Sequence, residues 1–297
     1  MKYELTIAHR VCPILAKTAF GYSDKFSMVN ATTESLKKAL LGVKTRLVVI
    51  LDGCDKQYNN LFIECFKDEP NILLEIVETP AIGNSATYGK QLEILYAAQT
   101  DYVYFSEDDY VYMDSAFRRM IDFMSQSGVD FVTPLDHPDR YIPSLMRPVP
   151  ASVRITQDTH WRSTGTTCLT FMTKSSILRN TAPILSSYVK KREEGSMWLG
   201  LTKENVFNFK LLIKAGLYHL FGIKQSFLDI LPLCAWKRHH LRIILTRKHT
   251  LWSPIPTLAV HLCTASLPLH SEEIIANECG LDKTRPAEKA VLKYLGL

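Results

Sequence analysis

The 297-residue sequence contains no CxxC pair, no internal repeat and no low-complexity segment. Its seven cysteines, Cys12, Cys54, Cys65, Cys168, Cys234, Cys263 and Cys279, are odd in number and scattered, which argues against a disulfide framework and a zinc finger. The N-terminus lacks a basic segment followed by a long apolar one, so no signal peptide is expected. The longest uncharged stretch, residues 249–271, carries Pro254, Pro256, Pro268 and many polar side chains, and does not read as a membrane span. These absences predict a soluble, cytoplasmic protein. Acid is also missing locally. From Leu231 to Ser271 there is none, while Lys237, Arg238, Arg242, Arg247 and Lys248 are joined by His239, His240, His249, His261 and His270.

What is present is ordinary in bulk. Hydrophobic residues at 46% and charged residues at 22% exclude a disordered chain, a coiled coil and a collagen-like repeat. The length suits one large domain or two small ones. The excess of 35 Lys and Arg over 30 Asp and Glu is too small for a dedicated nucleic-acid binder, and no matching motif accompanies the basic stretch. Nucleic acid is therefore not an expected partner.

The first half alternates strand and helix signals. Strands are predicted at Tyr3–Ala8, Arg46–Leu51, Ile72–Val77, Asp101–Ser106 and Asp130–Thr133. Helices are predicted at Asn30–Leu41, with Thr32 or Thr33 as cap, and at Tyr58–Phe66, Tyr88–Gln99 and Phe117–Ser127. Arg46–Leu51 is a continuous apolar run after its first residue, the mark of a strand buried on both faces. This alternation implies a mostly parallel, doubly wound α/β sheet flanked by helices. The second half is less regular: a Pro-rich loop at Asp136–Pro150, a strand at Thr167–Thr173, and helices at Ser175–Tyr188, Lys203–Leu220 and Leu258–Leu267. No polar linker divides the halves, so one continuous domain is expected.

Ligands of open α/β sheets sit beyond the carboxyl ends of the strands. Two such ends carry acids here: Asp52, and the triplet Glu107-Asp108-Asp109. Three adjacent carboxylates after an apolar strand call for a positive partner, and Mg²⁺ or Mn²⁺ suits their hard oxygens. A solvated acidic turn ahead of a helix capped by Asp114 or Ser115 is the other reading.

Several segments together resemble a GT-A-fold glycosyltransferase of the family 2-like layout. They are Thr6-Ile7-Ala8-His9-Arg10, Val49-Ile50-Leu51-Asp52-Gly53-Cys54-Asp55, Gly83-Asn84 with Gly89-Lys90, and Tyr104-Phe105-Ser106-Glu107-Asp108-Asp109-Tyr110-Val111. The last resembles a DxD-type metal motif. The match covers residues 3 to 125 well and the remainder loosely. The resemblance implies a Rossmann-like donor half at residues 1–125, and a more helical acceptor half at 126–297 with a basic C-terminal segment. It implies that Asp109 coordinates a divalent metal, Mn²⁺ or Mg²⁺, which holds the diphosphate of a nucleotide-sugar donor such as a UDP-sugar. Asp108 and Glu107 would contact ribose, sugar or metal-bound water. Asp52 would meet the nucleobase, Ala8, His9 and Arg10 would line its pocket, and Lys90 would touch phosphate or sugar. Asp52 as a turn residue, Lys90 as a solvated helix residue and His9 as a core or surface histidine are the plain readings of the same positions.

By the same resemblance Ser163-Thr164-Gly165-Thr166 and the strand after it line the sugar and acceptor site. Glu193-Glu194 ahead of Met197-Trp198 resembles the acidic pair that supplies the base of inverting enzymes, with Glu194 first, Glu193 second and Asp158 in reserve. The commoner pattern there is Glu-Asp. An exposed acid pair matched to Lys190, Lys191 and Arg192 is the other reading, and Trp198 stacks on sugar or fills core. His261 completes the metal shell in the resemblance, or is a satisfied core histidine. The basic stretch closes over the donor, meets anionic lipid at the inner face of a membrane through Trp236, Leu241, Ile243, Ile244 and Trp252, or is a solvated face. The implied activity is metal-dependent transfer of a sugar to a hydroxyl of a sugar or lipid-linked acceptor, in polysaccharide or glycolipid synthesis. A sugar nucleotidyltransferase and a non-catalytic nucleotide-sugar-binding module are the alternatives. The first of these calls for a Gly-rich loop where His9-Arg10-Val11 stands.

Overall fold

Aliphatic runs without alternation set the frame. In a computed structural model, β1 (Leu5–Val11), β2 (Thr45–Asp52), β3 (Ile72–Thr79) and β4 (Tyr102–Glu107) are all parallel and lie in the order β3-β2-β1-β4. The structure describes residues 2–15, 22–137, 141, 151–156, 158–221 and 227–262. β1 is buried at every position and β2 at every position but Arg46, which is why neither strand alternates. Helices α1 (Lys25–Ala39), α2 (Lys56–Phe66) and α3 (Asn84–Tyr96) make the three crossovers.

The chain continues through β5 (Tyr110–Tyr112), α4 (Ala116–Met124), β6 (Phe131–Val132), β7 (Val153–Ile155), β8 (His160–Thr164) and β9 (Phe171–Lys174). It ends, as described, with α5 (Ser175–Leu185), α6 (Ser187–Lys191), α7 (Glu194–Thr202), α8 (Phe209–Leu220), α9 (Phe227–Leu245), β10 (Leu251–Ile255) and β11 (Ala259–His261). Among the described residues the main sheet has nine strands in the order β3-β2-β1-β4-β9-β6-β10-β8-β7, drawing on both halves of the sequence. The long strands are parallel, and antiparallel neighbours enter with β9, β8 and β7. The architecture is thus the expected Rossmann-like α/β sheet, here mixed toward one edge. β10 holds Pro254 inside the sheet. That is tolerated because β6 pairs only with Leu251 and Trp252, so one side of Pro254 has no ladder to break.

Two apolar layers cover the sheet. Successive β1 side chains alternate between them. Leu5, Ile7 and Val11 join the layer of α1, α2 and α4, while Ala8 joins that of α3, α5 and α7. Helix α9 packs closely on α7 through glycine: a Cβ on Gly195 would come within 2.7 Å of Leu231, and one on Gly200 within 3.0 Å of His239.

Three departures from the sequence-based expectation have a local cause. Helix α1 starts at Lys25, because the Asp24 carboxylate caps it by accepting from the Ser27 N–H at 2.8 Å. Thr32 and Thr33 are buried inside the helix. The helix expected from Lys203 begins at Phe209, since Lys203 and Asn205 take positive φ of 56° and 58°. The helix expected at Leu258–Leu267 is instead strand β11 at Ala259–His261, paired antiparallel with β5; its remainder lies outside the described residues. An apolar run that short has no periodicity to separate the two states. The expected loop at Asp136–Pro150 and the chain beyond residue 262 also lie largely outside them.

Candidate functional site

β1 lies between β2 and β4, and the connections leave it in opposite directions. A crevice opens at such a reversal, beyond the carboxyl ends of the strands. A cleft of about 460 Å³ occupies this place, lined by Arg10 and Cys12 after β1, Asp52 after β2, Asn84 at the start of α3, and Glu107, Asp108 and Asp109 after β4.

Each acid of the triplet has its own cation from the chain. Arg10 donates to Glu107 Oε1, and the other Glu107 oxygen accepts from the Thr170 hydroxyl at 2.9 Å. Lys25 Nζ stands 2.8 Å from Asp108 Oδ1, and Asp108 Oδ2 accepts the Cys12 backbone N–H at 3.0 Å. His261 Nε2 lies 3.0 Å from Asp109 Oδ2. Burial pushes the Asp108 carboxyl up to about 6 against the pull of Lys25. Burial acts on Asp109 in the same direction, but the His261 charge and hydrogen bond outweigh it and hold that carboxyl at about 2. His261 correspondingly stays protonated well above the usual histidine range, Asp109 overcoming the cost of burial. Its ring stacks on Tyr110, with centroids 4.7 Å apart and planes within 6°.

The cation that the triplet calls for is therefore largely internal. Among the described residues no group of three or more His, Cys, Asp or Glu side chains is arranged to hold a metal. All four carboxylate oxygens of Glu107 and Asp108 already accept a hydrogen bond. Asp109 Oδ1 differs: it is buried and has no partner. That orphaned oxygen, with the imidazole that sits against the other Asp109 oxygen, would supply two side-chain ligands to a hard divalent ion. His261 would have to release its proton to serve.

Asp52 lies at the end of β2 with both oxygens used. Oδ1 accepts from the Thr79 hydroxyl at 2.7 Å and the Ile82 N–H at 2.6 Å, and Oδ2 from the Gly83 N–H at 2.8 Å. It fastens the turn that launches α3 and aims that helix's N-terminus at the cleft. Gly53 fits below the turn because its φ is +68° and a Cβ there would lie 2.8 Å from that of Ala81. Arg10 alone of the β1 trio lines the cleft, and it also binds the Asn84 side chain and its carbonyl. Ala8 and His9 are core residues. His9 turns to the α2 side, against Phe62, with Nδ1 2.8 Å from the Ser106 hydroxyl. Burial, reinforced by the Lys25 charge, lowers its pKa to about 3. Lys90 points away on α3 and pairs with Glu93 at 3.0 Å.

The two acids ahead of α7 part ways. Glu193 caps the helix, accepting from the Ser196 N–H at 2.7 Å, and forms an ion pair with Arg238. Glu194, the first helical residue, is half-buried and electrostatically coupled to Glu107, Arg10 and His261. Burial first, then the Glu107 charge, raises its pKa to about 7. Asp158 pairs with Arg119 on the surface. Trp198 is core, edge-on to Phe171 and Phe131. Much of the basic stretch is structural: Arg238 holds Glu193, while Arg247 and His249 both hold Asp130.

Sequence reasoning missed Lys25 and Thr170, which touch two of the three acids. No local pattern links them to the triplet. The one available signal for Lys25 was Asp24 as a cap, which places it in the first turn of a helix following β1.

No protein-family model matches the chain, and no curated protein matches it. Among solved structures the chain is similar to a mannosyltransferase from Pyrobaculum calidifontis in complex with GDP-Man and Mn²⁺, at 12% identity, TM-score 0.36, over 50% of this chain and 39% of that one. It is similar to the glycosyltransferase GlyE of Streptococcus pneumoniae at 11% identity and TM-score 0.41, over 99% of this chain and 63% of that one. It is similar also to a CMP:2-keto-3-deoxy-manno-octonic acid synthetase complexed with CTP, at 11% identity and TM-score 0.38, over 66% of this chain and 85% of that one. The chain thus spans less than two thirds of the first two of these structures. Likenesses this distant leave the chemistry to be read from the residues of the cleft itself.

Proposed function

We propose that the chain is a glycosyltransferase that moves a sugar from a nucleoside-diphosphate donor to a hydroxyl acceptor, with inversion, and that Glu194 is the base. The observation that carries this reading is the Glu194 carboxyl, raised to about 7 and within electrostatic reach of Arg10 and Glu107, both of which line the cleft. A base of that strength takes a hydroxyl proton near neutral pH far better than an ordinary carboxylate does. Arg10 and the N-terminus of α3 line the same cleft and attract a diphosphate. A divalent ion bound by Asp109 Oδ1 and His261 would stabilise charge on the departing diphosphate. Glu107 orients Arg10, Asp108 holds Lys25 at the cleft wall, and Asp52 keeps the Ile82–Gly83 turn in shape. Cys12-Pro13-Ile14-Leu15, directly after β1, holds no glycine, which disfavours the nucleotidyltransferase alternative, whose chemistry calls for a Gly-rich phosphate loop there.

The test is release of nucleoside diphosphate from nucleotide-sugars by the purified chain, with Mn²⁺ and with a chelator. Glu194→Gln should bind donor with unchanged affinity and release about 10²- to 10⁴-fold more slowly. Loss of donor binding in that variant removes the base assignment. Pyrophosphate release from a nucleoside triphosphate and a sugar 1-phosphate would replace the transfer reading by the nucleotidyltransferase one.

A further inference from the structure

Helix α8 is amphipathic in the wrong sense for a helix that only packs on its own protein. Leu211 and Ala215 face inward at 5% and 1% exposure. On the outer side Phe209, Ile213, Leu217 and Leu220 are 65%, 63%, 48% and 77% exposed. Their spacing of four, four and three residues puts them on one stripe of the helix. Lys210 and Lys214, both exposed, run along one flank of that stripe. Helix α9, in contact with α8, ends in the same way: Leu241, Ile244 and Leu245 are 62%, 62% and 77% exposed, with Arg242 between them.

Exposed apolar rows of this length normally meet a partner. The surrounding charge selects the kind. The exposed charged residues described on α8 and α9 are Lys210, Lys214, Lys237 and Arg242, all basic. An acidic partner with an apolar layer beneath its charge complements both features, and an anionic bilayer is that: phosphates outside, acyl chains below. No helix of the described residues is long and apolar enough to cross a membrane, so the helices would lie along the interface.

We propose that the outward faces of α8 and the end of α9 form a docking surface for an anionic lipid bilayer, with the apolar rows seated among the acyl chains and Lys210, Lys214 and Arg242 at the headgroups. Of the residues expected to supply apolar contact, Leu241 and Ile244 are exposed. Ile243 and Trp252 are buried and take no part. The proposal goes beyond the transfer reading and does not depend on it.

The test is co-sedimentation of the full chain, without substrate, with phosphatidylcholine vesicles that contain or lack phosphatidylglycerol. The chain should sediment with the anionic vesicles, release partly as salt is raised, and stay in solution with the neutral ones. Ile213→Glu combined with Leu220→Glu should abolish sedimentation. Lys210→Glu combined with Lys214→Glu, which leaves the apolar row intact, should weaken it by about tenfold or more. All four side chains project into solvent, so the thermal midpoint should not move. Sedimentation equal in native and substituted chains, or none with anionic vesicles, overturns the proposal. So does a native dimer in solution that Ile213→Glu dissociates with no effect on vesicles, since the face would then belong to a second copy.

Discussion

Lys25 Nζ lies 2.8 Å from Asp108 Oδ1, across 83 residues of sequence, and both side chains are almost wholly buried. A buried ion pair contributes little beyond a well-packed apolar pair, but half of one is costly. Lys25→Met should therefore lower stability by about 3–5 kcal/mol. Lys25→Met combined with Asp108→Asn should recover most of that loss. Urea unfolding of the four chains of the cycle measures it, and additive losses would show that the two groups do not depend on each other.

The Glu194 carboxyl predicts the acid limb of the rate profile. A base acts only when ionised, so activity should rise with pH through an apparent pKa near 7, the value to which burial and Glu107 raise it. Removing the Glu107 charge in Glu107→Gln should move that limb toward lower pH. A limb that stays in place with the Glu107 variant would mean that another group titrates there.

His9 predicts how stability falls in acid. Its folded pKa is about 3 and its ordinary value 6.5, so the unfolded chain binds a proton that the folded chain refuses. The contribution is intact above pH 6.5 and is lost progressively as pH falls toward about 3. The whole effect is of the order of several kcal/mol, at about 1.4 kcal/mol for each pH unit of difference. His9→Gln, which keeps a side-chain group able to bond Ser106, should flatten the difference in unfolding free energy between pH 7 and pH 4. An unchanged slope would show that His9 is protonated in the folded chain.

Asp52 predicts a split between turn and ligand roles. Its oxygens accept from Thr79, Ile82 and Gly83. Asp52→Ala leaves those donors without partners and should cost about 1–3 kcal/mol. It should also weaken donor binding through the displaced turn. If donor binding falls while the unfolding midpoint is unchanged, Asp52 acts on the nucleobase directly.

Most of the parallel half of the sheet was legible in the sequence. Strands buried on both faces have no alternative use for a run such as Leu47 to Leu51, and their ends mark the cleft. The acids Glu107 to Asp109 and the late His261 were legible by type and order. Their electrostatics were not, because Lys25, Arg10 and Thr170 come to them through tertiary packing, which leaves no periodic trace. Adjacent acids also hid opposite fates: Glu193 spends its oxygens on a helix end and on Arg238, and Glu194 feels the charges of Glu107, Arg10 and His261 instead. The short strands β8, β10 and β11 escaped because three to five residues carry too little pattern to separate strand from helix.

The two-stranded ribbon of β5 and β11 has a consequence for how the triplet is completed. Tyr110 pairs with His261, Val111 with Val260 and Tyr112 with Ala259, so the partner of Asp109 is chosen by strand register. A slip of one residue would present Val260 or Leu262 instead and turn the imidazole to the opposite face. The Arg10 and Lys25 partners of the triplet come from the early part of the sequence, and His261 from its far end. Without β11 in place, Asp109 would lose the one side chain hydrogen-bonded to it and keep only the more distant charges of Lys25 and Arg10. The triplet has its full set of three partners only when this late strand is in register.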